Sequence, residues 1–239
     1  MMDYGRSFQY MFKDKDWLVK IIIGGVFALL SVIVVGIPFV IGYMLEVVRN
    51  VIAGQDEPLP AWDNLGDKFV QGLLMLVVLL IIGIPMYLFA CIQGVFSAIV
   101  SNSNSDALIT LGGLIALLMS LLEFLYGLLM AVFMPALLLR FATTRRIGDT
   151  LKFGELWQIV KANFGQYILI IILVYIVQLV AGFGAIACVI GVFLTYFWAM
   201  LVQSHLYGQY YRNYVTHAGP LMPPAGYQPM PPAPPAAPL

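Results

Sequence analysis

Charged residues are scarce in this chain: 12 lysines and arginines and 12 aspartates and glutamates make up 10% of its 239 residues. A soluble domain carries about a quarter charged residues, whereas 62% of the residues here are hydrophobic. Water therefore cannot be the solvent for most of the surface, which excludes an ordinary soluble domain. The formal net charge is zero, so we expect no nucleic acid or other polyanionic partner.

Cysteine is equally rare, with two residues in the whole chain. Cys91 and Cys188 lie far apart inside apolar stretches, without a Cys-x-x-Cys motif or an adjacent histidine. This pattern is typical of structural thiols, so we expect both to be buried and reduced.

Histidine is also represented by two residues, and His217 lies in the C-terminal tail. A serine nucleophile with a histidine base is therefore hard to assemble. His205, with the adjacent Gln203 and Ser204, is either a metal or cofactor ligand or a residue of the membrane interface beside nearby tyrosines. We expect no catalytic residue, no cofactor, no metal site and no enzymatic activity.

Long apolar stretches dominate the chain, at 18–45, 69–100, 107–141 and 167–206. A bilayer core of about 30 Å needs about 20 helical residues, so the first three stretches predict single helices that are long, tilted or kinked. They carry the internal prolines Pro38, Pro85 and Pro135. Gly182-Phe183-Gly184 divides the fourth stretch into two helices. The predicted fold class is all-α, a polytopic membrane bundle with about five spans, four to six being allowed.

Basic residues between the stretches indicate the orientation, because lysine and arginine in short loops stay on the cytoplasmic side. Residues 101–106 hold none and are expected outside, whereas 46–68 and 140–166 are basic and are expected in the cytoplasm. A single span before residue 46 leaves the N-terminal basic residues outside. A first stretch that folds back at 36–38 adds one span and places them inside. Those residues are Arg6, Lys13, Lys15 and Lys20.

An internal repeat with a period of about 95 residues is visible in the sequence. Aligning Pro38 with Pro135 brings Arg49 onto Arg146. Each half then consists of a helix, a polar surface helix, a loop and a second helix. The predicted organisation is an interfacial segment (1–17), a first membrane half (18–100), a polar loop (101–106), a second membrane half (107–214) and a Pro-rich tail (215–239).

Tryptophans stand at the ends of the apolar stretches, where their rings favour the headgroup level of a bilayer. Trp17, Trp62 and Trp157 are the predicted anchors. Residues 7–17 predict a short amphipathic helix on the membrane surface, with Phe8, Met11 and Phe12 on one face.

The segment Leu59-Pro60-Ala61-Trp62-Asp63 predicts a rigid entry into the second stretch. Its proline, like Pro58, disfavours helix just before it. Asp63 is well placed to cap a helix that begins near Asn64. The functional alternative is a loop that docks a partner or gates a substrate.

Several motifs together resemble a known family. They are 12–17, the Gly24-Gly25 pair, 42–49, and Leu-Pro-Ala-Trp-Asp-Asn-Leu-Gly at 59–66 followed by Gly72-Leu73. They look like the bacterial and archaeal membrane family catalogued as domain of unknown function 4013, over roughly residues 7 to 215. The resemblance implies a multi-pass membrane architecture and no particular chemistry.

Glu123 lies in the middle of the third stretch, where an isolated carboxylate costs about 2.5 kcal/mol or more. Such a residue is a hypothesis of function by default. We expect either an interhelical hydrogen bond to Gln93 or Gln178, or a role as a proton relay or ion ligand.

Nine of the 14 prolines fall in the uncharged tail from residue 219 onward, which predicts a disordered or polyproline II segment suited to docking. The preferred function is therefore a non-enzymatic accessory or scaffolding subunit of a larger membrane complex, with the lipid bilayer and protein partners as its contacts. The alternative is a small transporter or channel component that uses Glu123 between the duplicated halves, and a third is a lipid-binding protein. Without a cleavable signal peptide, we expect a multi-pass protein of a prokaryotic cytoplasmic membrane.

Overall fold

The computed structural model describes residues 2–103, 105–187 and 191–216. The described chain is all-helical, with 86% helix and no strand. Its helices are α1 (Tyr4–Gln9), α2 (Trp17–Leu30), α3 (Ile37–Ile52), α4 (Leu65–Ser101), α5 (Asp106–Thr144), α6 (Ile147–Thr150), α7 (Phe153–Ala162), α8 (Phe164–Gly182), α9 (Gly184–Ala187) and α10 (Gly191–Tyr210). Short 3-10 turns follow α1 and α2 at Tyr10–Lys13 and Ser31–Ile33, and a π-helical turn, Tyr211–Val215, follows α10.

Three helical segments of the described chain are long and apolar enough to cross a membrane. They are α4, α5 and the continuous segment Phe164–Ile186 that α8 opens. A fourth is obtained if the N-terminal pair Tyr4–Lys13 and Trp17–Ile33, bent by 101°, counts as one span. The chain is therefore a membrane protein by helix length and composition.

The first apolar stretch is not one helix, and the prediction of a single helix there was wrong. α2 ends at Leu30, Val34 adopts a left-handed conformation with φ of 69°, and α3 returns beside α2, so that the rings of Phe27 and Phe39 stack at 4.7 Å. Pro38 stands in the first turn of α3, where its missing N–H costs nothing, and is not an internal proline. The chain folds back in this region, with its turn at 31–36, and the additional span of the fold-back alternative stays a prediction.

The second and third stretches form the continuous helices predicted for them. α4 and α5 contain 37 and 39 residues, with Pro85 and Pro135 inside them, which corresponds to lengths of about 56 and 58 Å. The polar segment between them is the predicted short connection. Their lower halves, 65–82 and 135–144, pack against the rest of the protein, whereas Gly112 alone is buried among the described residues from 83 to 134.

α10 is the central helix of the bundle, and it lies against α2, α3 and α8. Phe197, Val202 and Leu206 are fully or almost fully buried on it. α8 ends at Gly182, as the glycine pair predicts, and the Thr195 hydroxyl of α10 donates to the Ala181 carbonyl at 2.7 Å. The fourth stretch thus forms α8 and α10, and the short helix α9 extends the helical segment of α8 past the glycine pair to Ile186.

The N-terminal segment packs on α10. The Tyr10 hydroxyl donates to the Leu201 carbonyl at 3.0 Å, and Met11 is fully buried, whereas Phe12 is half exposed. Phe8 lies 6.2 Å from Trp198 between ring centroids. Phe8, Met11 and Phe12 therefore do not present one common face to the membrane, because burial of Met11 against the bundle competes with surface adsorption.

Candidate functional site

The polar residues predicted inside the membrane lie in two places. Glu123 and Gln93 occupy the projecting halves of α5 and α4, and the Gln93 amide donates to the Ser120 hydroxyl at 3.4 Å. One carboxyl oxygen of Glu123, Oε1, is buried and has no hydrogen-bond partner in the described part of the chain. The expected hydrogen bond from Glu123 to Gln93 or Gln178 does not form.

Gln178 belongs to a different seam. Its amide on α8 donates to Gln203 Oε1 at 3.0 Å, and the Gln203 amide donates to the Tyr207 hydroxyl at 3.2 Å. This chain links α8 to α10 in the body of the bundle. Of the three polar side chains predicted to lie inside the membrane, the fold brings only Glu123 and Gln93 onto the same pair of helices.

Cys91 also lies on the projecting half of α4, where it is exposed. The prediction of a buried thiol was wrong for this residue, because the helix around it has no covering element in the described chain. Cys188 lies outside the described residues. No group of three or more histidine, cysteine, aspartate or glutamate side chains in the described chain is arranged to hold a metal ion.

The Leu59-Pro60-Ala61-Trp62-Asp63 segment fastens α2 and α3 to each other. The Tyr43 hydroxyl donates to the Pro60 carbonyl at 2.9 Å, and the Lys20 ammonium donates to the Leu59 carbonyl at 3.1 Å. Trp62 donates its indole N–H to the Lys20 carbonyl at 2.9 Å and stacks on Tyr43 at 4.3 Å. The partly buried Trp62 ring thus packs in an aromatic cluster that includes Phe27, and its role as a headgroup anchor stays a prediction.

Asp63 does not cap α4, contrary to the prediction. The cap position is Asn64, with φ of 44° and no side-chain capping bond. Asp63 instead accepts the Lys68 ammonium through its carbonyl at 2.8 Å, and its carboxylate lies 3.5 Å from that ammonium. A buried cation attracts the carboxylate more strongly than a neutral N–H does.

The other two predicted anchors, Trp17 and Trp157, are partly exposed and exposed, respectively. Trp17 makes an edge contact with Phe12 at 4.9 Å, and Trp157 is 46% exposed with Lys161 5.8 Å above its ring. Both positions are compatible with anchoring at the headgroup level, which stays a prediction.

Charged residues collect where α3 and α5 end and α4 and α7 begin. Lys68, 2% exposed, lies 3.0 Å from Glu46, which joins α4 to α3. Arg140, 6% exposed, forms an ion pair with Glu155 and joins α5 to α7. In this solvent-poor region an unpaired charge would be costly, so these pairs hold neighbouring helices in register.

Arg49 lies at the edge of this cluster, and its Nη1 atom is buried without a hydrogen-bond partner in the described chain. Arg146 is exposed and precedes α6. The two arginines that the repeat superimposes therefore occupy different environments. Farther out, the Lys152 ammonium binds Asp149 at 2.6 Å and holds the pKa of that carboxyl below its usual value.

A buried polar network joins the N-terminus to α10. Gln209 Nε2 donates to the Asp3 carbonyl at 2.9 Å, and Gln209 Oε1 accepts the Asp3 N–H at 2.9 Å. These two bonds fix the orientation of the carboxamide and use one hydrogen of Nε2. Its other hydrogen faces both His205 Nδ1, at 3.0 Å, and the Ser7 hydroxyl, at 3.3 Å. A carboxamide nitrogen can only donate, so Nδ1 is the acceptor in its contact with Gln209, as in a neutral His205 with its hydrogen on Nε2.

The Ser7 hydroxyl lies 2.9 Å from the same nitrogen, and the Tyr10 ring stacks on the imidazole at 4.2 Å. His205 is therefore a buried member of a hydrogen-bond network, and the interpretation of it as a residue of the membrane interface was wrong. Sequence reasoning missed Gln209 and Ser7. A signal was present in the sequence: His205 and Gln209 are four residues apart on an apolar helix and therefore lie on the same face.

A family model described as a protein of unknown function, DUF4013, matches residues 25–190. Neither a curated protein nor a solved structure matches the chain. The match covers α3 to α8 completely and thus includes the projecting pair of helices and the ion pairs at their base.

Proposed function

Because the chain belongs to the DUF4013 family, whose description names no activity, we propose a function from the site itself: a non-enzymatic accessory or scaffolding subunit of a larger membrane complex. The projecting hairpin, defined as residues 83–134 of α4 and α5, is its docking element. The occupant that we propose is one or more transmembrane helices of a different membrane protein.

The observation that carries this proposal is the imbalance between the two halves of α4 and α5. Nine consecutive residues from Pro135 to Thr143 are buried at the base of α5, whereas the projecting hairpin holds one buried residue in its described part. Lipid can cover such an apolar surface, but polar side chains that face hydrocarbon are costly and are not expected there. Gln93, Ser120 and Glu123 nevertheless lie together on it.

Glu123 gives the docking surface a specific point of recognition. Glu123 is partly exposed, and one of its carboxyl oxygens is unpaired within the described chain, so this carboxyl group gains a hydrogen bond when a partner helix supplies a donor. Polar side chains of this kind specify which helices associate and in what register. Gly113 precedes Glu123 in the sequence and Gly127 follows it. Neither glycine has a neighbouring atom within 4 Å of the position that a Cβ atom would take, so a partner helix can approach closely there.

The test is gentle solubilisation of the full-length native protein followed by identification of stoichiometric companions. We expect a distinct membrane protein to accompany the wild type and to be lost several-fold from Glu123→Leu. Gln178→Leu is the matched control, because it removes an intramembrane polar group from the body of the bundle and should retain the partner. A wild type that is solitary, or associated only with copies of itself, would contradict the accessory role.

A second candidate function, a transporter or channel component, is favoured by the same unpaired carboxyl, since intramembrane acids commonly carry protons or bind ions. It needs a path completed by further chains, because Gln178 does not adjoin Glu123. Proton or cation flux in vesicles reconstituted with the wild type, abolished by Glu123→Gln, would favour this function. The third hypothesis, lipid binding through a lateral groove, has no such single residue to carry it.

We also propose a membrane topology for this subunit, with α4, α5, α8 and α10 as crossing helices and both termini on the cytoplasmic side. α2 and α3 have 14 and 16 residues, about 21 and 24 Å, and their connecting turn exposes Val32, Ile33 and Val34 by 64–69%. An exposed apolar turn on short helices favours a re-entrant hairpin whose tip stays in hydrocarbon. The turn satisfies its own backbone, with Val34 N–H bonded to the Ser31 carbonyl at 3.0 Å.

The distribution of charge supports this orientation. The basic residues all belong to the ends of helices and the connections that meet at the base of the bundle, and the 101–106 connection has none. A cysteine at Asn102 should react with a membrane-impermeant thiol reagent from outside, whereas one at Val34 should react from neither side. Both native cysteines, Cys91 and Cys188, are replaced by serine in this background. We propose in addition that the protein consists of two pseudo-repeated halves and lies in a prokaryotic cytoplasmic membrane. The Pro-rich tail is proposed as a second docking segment.

A further inference from the structure

A small polar cavity opens where α1, the end of α3 and the end of α10 meet. Its volume is about 170 Å³, and its lining is formed by Asp3, Arg6, Val51, Gln55, His205, Gln209 and Arg212. At about 30 Å³ per water molecule, it accommodates a group of about five or six atoms. It is separate from the projecting hairpin and from the ion pairs at the base of α4 and α5.

Two guanidinium groups from opposite ends of the chain share this cavity. Arg6 comes from α1 and Arg212 from the turn after α10. Arg212 is held by a long contact of 3.4 Å from Nη1 to the Val51 carbonyl, beside Gly54, whose φ of 81° lets the chain turn away. Each guanidinium has five N–H donors, so most donors of Arg212 are available to a ligand.

The lining itself carries one net positive charge, because it holds Arg6 and Arg212 but only one carboxylate, that of Asp3. Asp3 Oδ1 accepts the Arg6 backbone N–H at 2.9 Å and caps α1. A second carboxylate, that of Asp56, binds one Arg6 nitrogen at 3.1 Å from the rim, where its side chain is 97% exposed. An exposed ion pair of this kind is weak and is readily exchanged for a ligand.

The floor of the cavity is rigid and preorganised. His205 and Gln209 are each 3% exposed, and the two bonds from Gln209 to the Asp3 backbone hold them in place. The lining above this floor holds two guanidinium groups, those of Arg6 and Arg212. A fixed set of donors costs little ordering when an anion binds.

We propose that this cavity binds a phosphate group, with Arg6 and Arg212 as its bidentate ligands. Arginine forks match the geometry of phosphate oxygens, and the volume admits a phosphate but no acyl chain. The group comes either from the headgroup of an anionic phospholipid at the basic face of the membrane or from free phosphate. The site is independent of the proposed docking role of the hairpin.

The test uses full-length protein in nanodiscs and measures the shift of the unfolding temperature. One arm replaces part of the phosphatidylcholine by phosphatidylglycerol, and the other adds inorganic phosphate to pure phosphatidylcholine discs. We expect stabilisation in at least one arm, and the arm that responds identifies the source. Arg6→Gln with Arg212→Gln should reduce this stabilisation several-fold, whereas Arg212→Lys, which keeps the charge but not the fork, should reduce it in part.

The matched control is Lys15→Gln with Arg146→Gln, which removes the same charge from exposed positions outside the cavity. It should respond as the wild type does. The proposal is overturned if neither arm stabilises the wild type, or if the cavity variant and the control respond equally. Native mass spectrometry of retained phosphatidylglycerol provides a readout that does not depend on the stability of the variants.

Discussion

The Gln209 carboxamide and the Asp3 backbone exchange two hydrogen bonds of 2.9 Å across 206 residues of sequence. The N-terminal segment is thus bound to the central helix α10 by a side chain that donates one hydrogen bond to the Asp3 backbone and accepts one from it, as a paired peptide group would. This contact also sets the hydrogen on His205 and shapes the phosphate cavity, so one residue supports the N-terminal attachment and the proposed site.

Replacing Gln209 by alanine should detach the N-terminal segment. The substitution leaves the Asp3 N–H and carbonyl without their partner and removes one of the two contacts of His205 Nδ1, and we expect a loss of about 1–3 kcal/mol of stability. Thermal unfolding in detergent measures the loss, and limited proteolysis should show cleavage before Trp17. Gln55→Ala, at an exposed position, should change neither. An unchanged unfolding temperature for Gln209→Ala would refute the role assigned to this contact.

The crossing of α3 and α4 depends on Gly72. A Cβ atom at this position would overlap the Pro38 carbonyl oxygen, and one at Gly42 would overlap the Lys68 carbonyl. Gly72→Ala should therefore separate the helices at a cost of about 1–3 kcal/mol, measured as a lower unfolding temperature.

Gly66 in the first turn of the same helix is the matched control. It has no atom within 4 Å of its added Cβ, so Gly66→Ala should be neutral or slightly stabilising, because alanine favours helix by about 0.5–1 kcal/mol. If Gly72→Ala and Gly66→Ala changed the unfolding temperature equally, Gly72 would not be required for the close approach of α3 and α4.

Tyr167 of α8 inserts its hydroxyl into α5 beside Pro135. The hydroxyl accepts the Ala136 N–H at 3.1 Å and donates to the Val132 carbonyl at 2.6 Å, so it stands between two backbone groups one helical turn apart. Tyr167→Phe should leave a buried N–H unsatisfied and cost about 1–3 kcal/mol. Tyr175 on the same helix is 59% exposed and should tolerate the same change. A Tyr167→Phe protein as stable as Tyr175→Phe would contradict this role of the hydroxyl.

The sequence predicted the features that depend on local composition. Apolar length predicted α4 and α5, the glycine pair predicted the end of α8 at Gly182, and the motif at 59–66 indicated the family that the comparison identified. An uncharged run of 30 residues has few structures available in a bilayer other than helix, which is why these predictions were confirmed.

Long-range partners could not be predicted in the same way. In the sequence Lys68 resembles an ordinary loop cation, but in the fold α3 places Glu46 3.0 Å from it. The contacts of Trp62 with α2 and α3 also depend on how these helices pack, which the local sequence does not specify. Pro38 was predicted to lie inside a helix because nothing in the sequence signals the turn before it. Left-handed turn positions usually hold glycine, whereas here the position is occupied by Val34. These residues take their roles from elements that meet only in the fold.

The central claim is that the projecting hairpin is covered by another protein. A photo-crosslinking residue at Leu117 on the hairpin tests it in intact membranes, with Leu179 on α8 as the control; both native side chains are 67% exposed. The account predicts a discrete protein adduct from position 117 that Glu123→Leu abolishes, and only lipid adducts from position 179. Lipid adducts alone from both positions would contradict it.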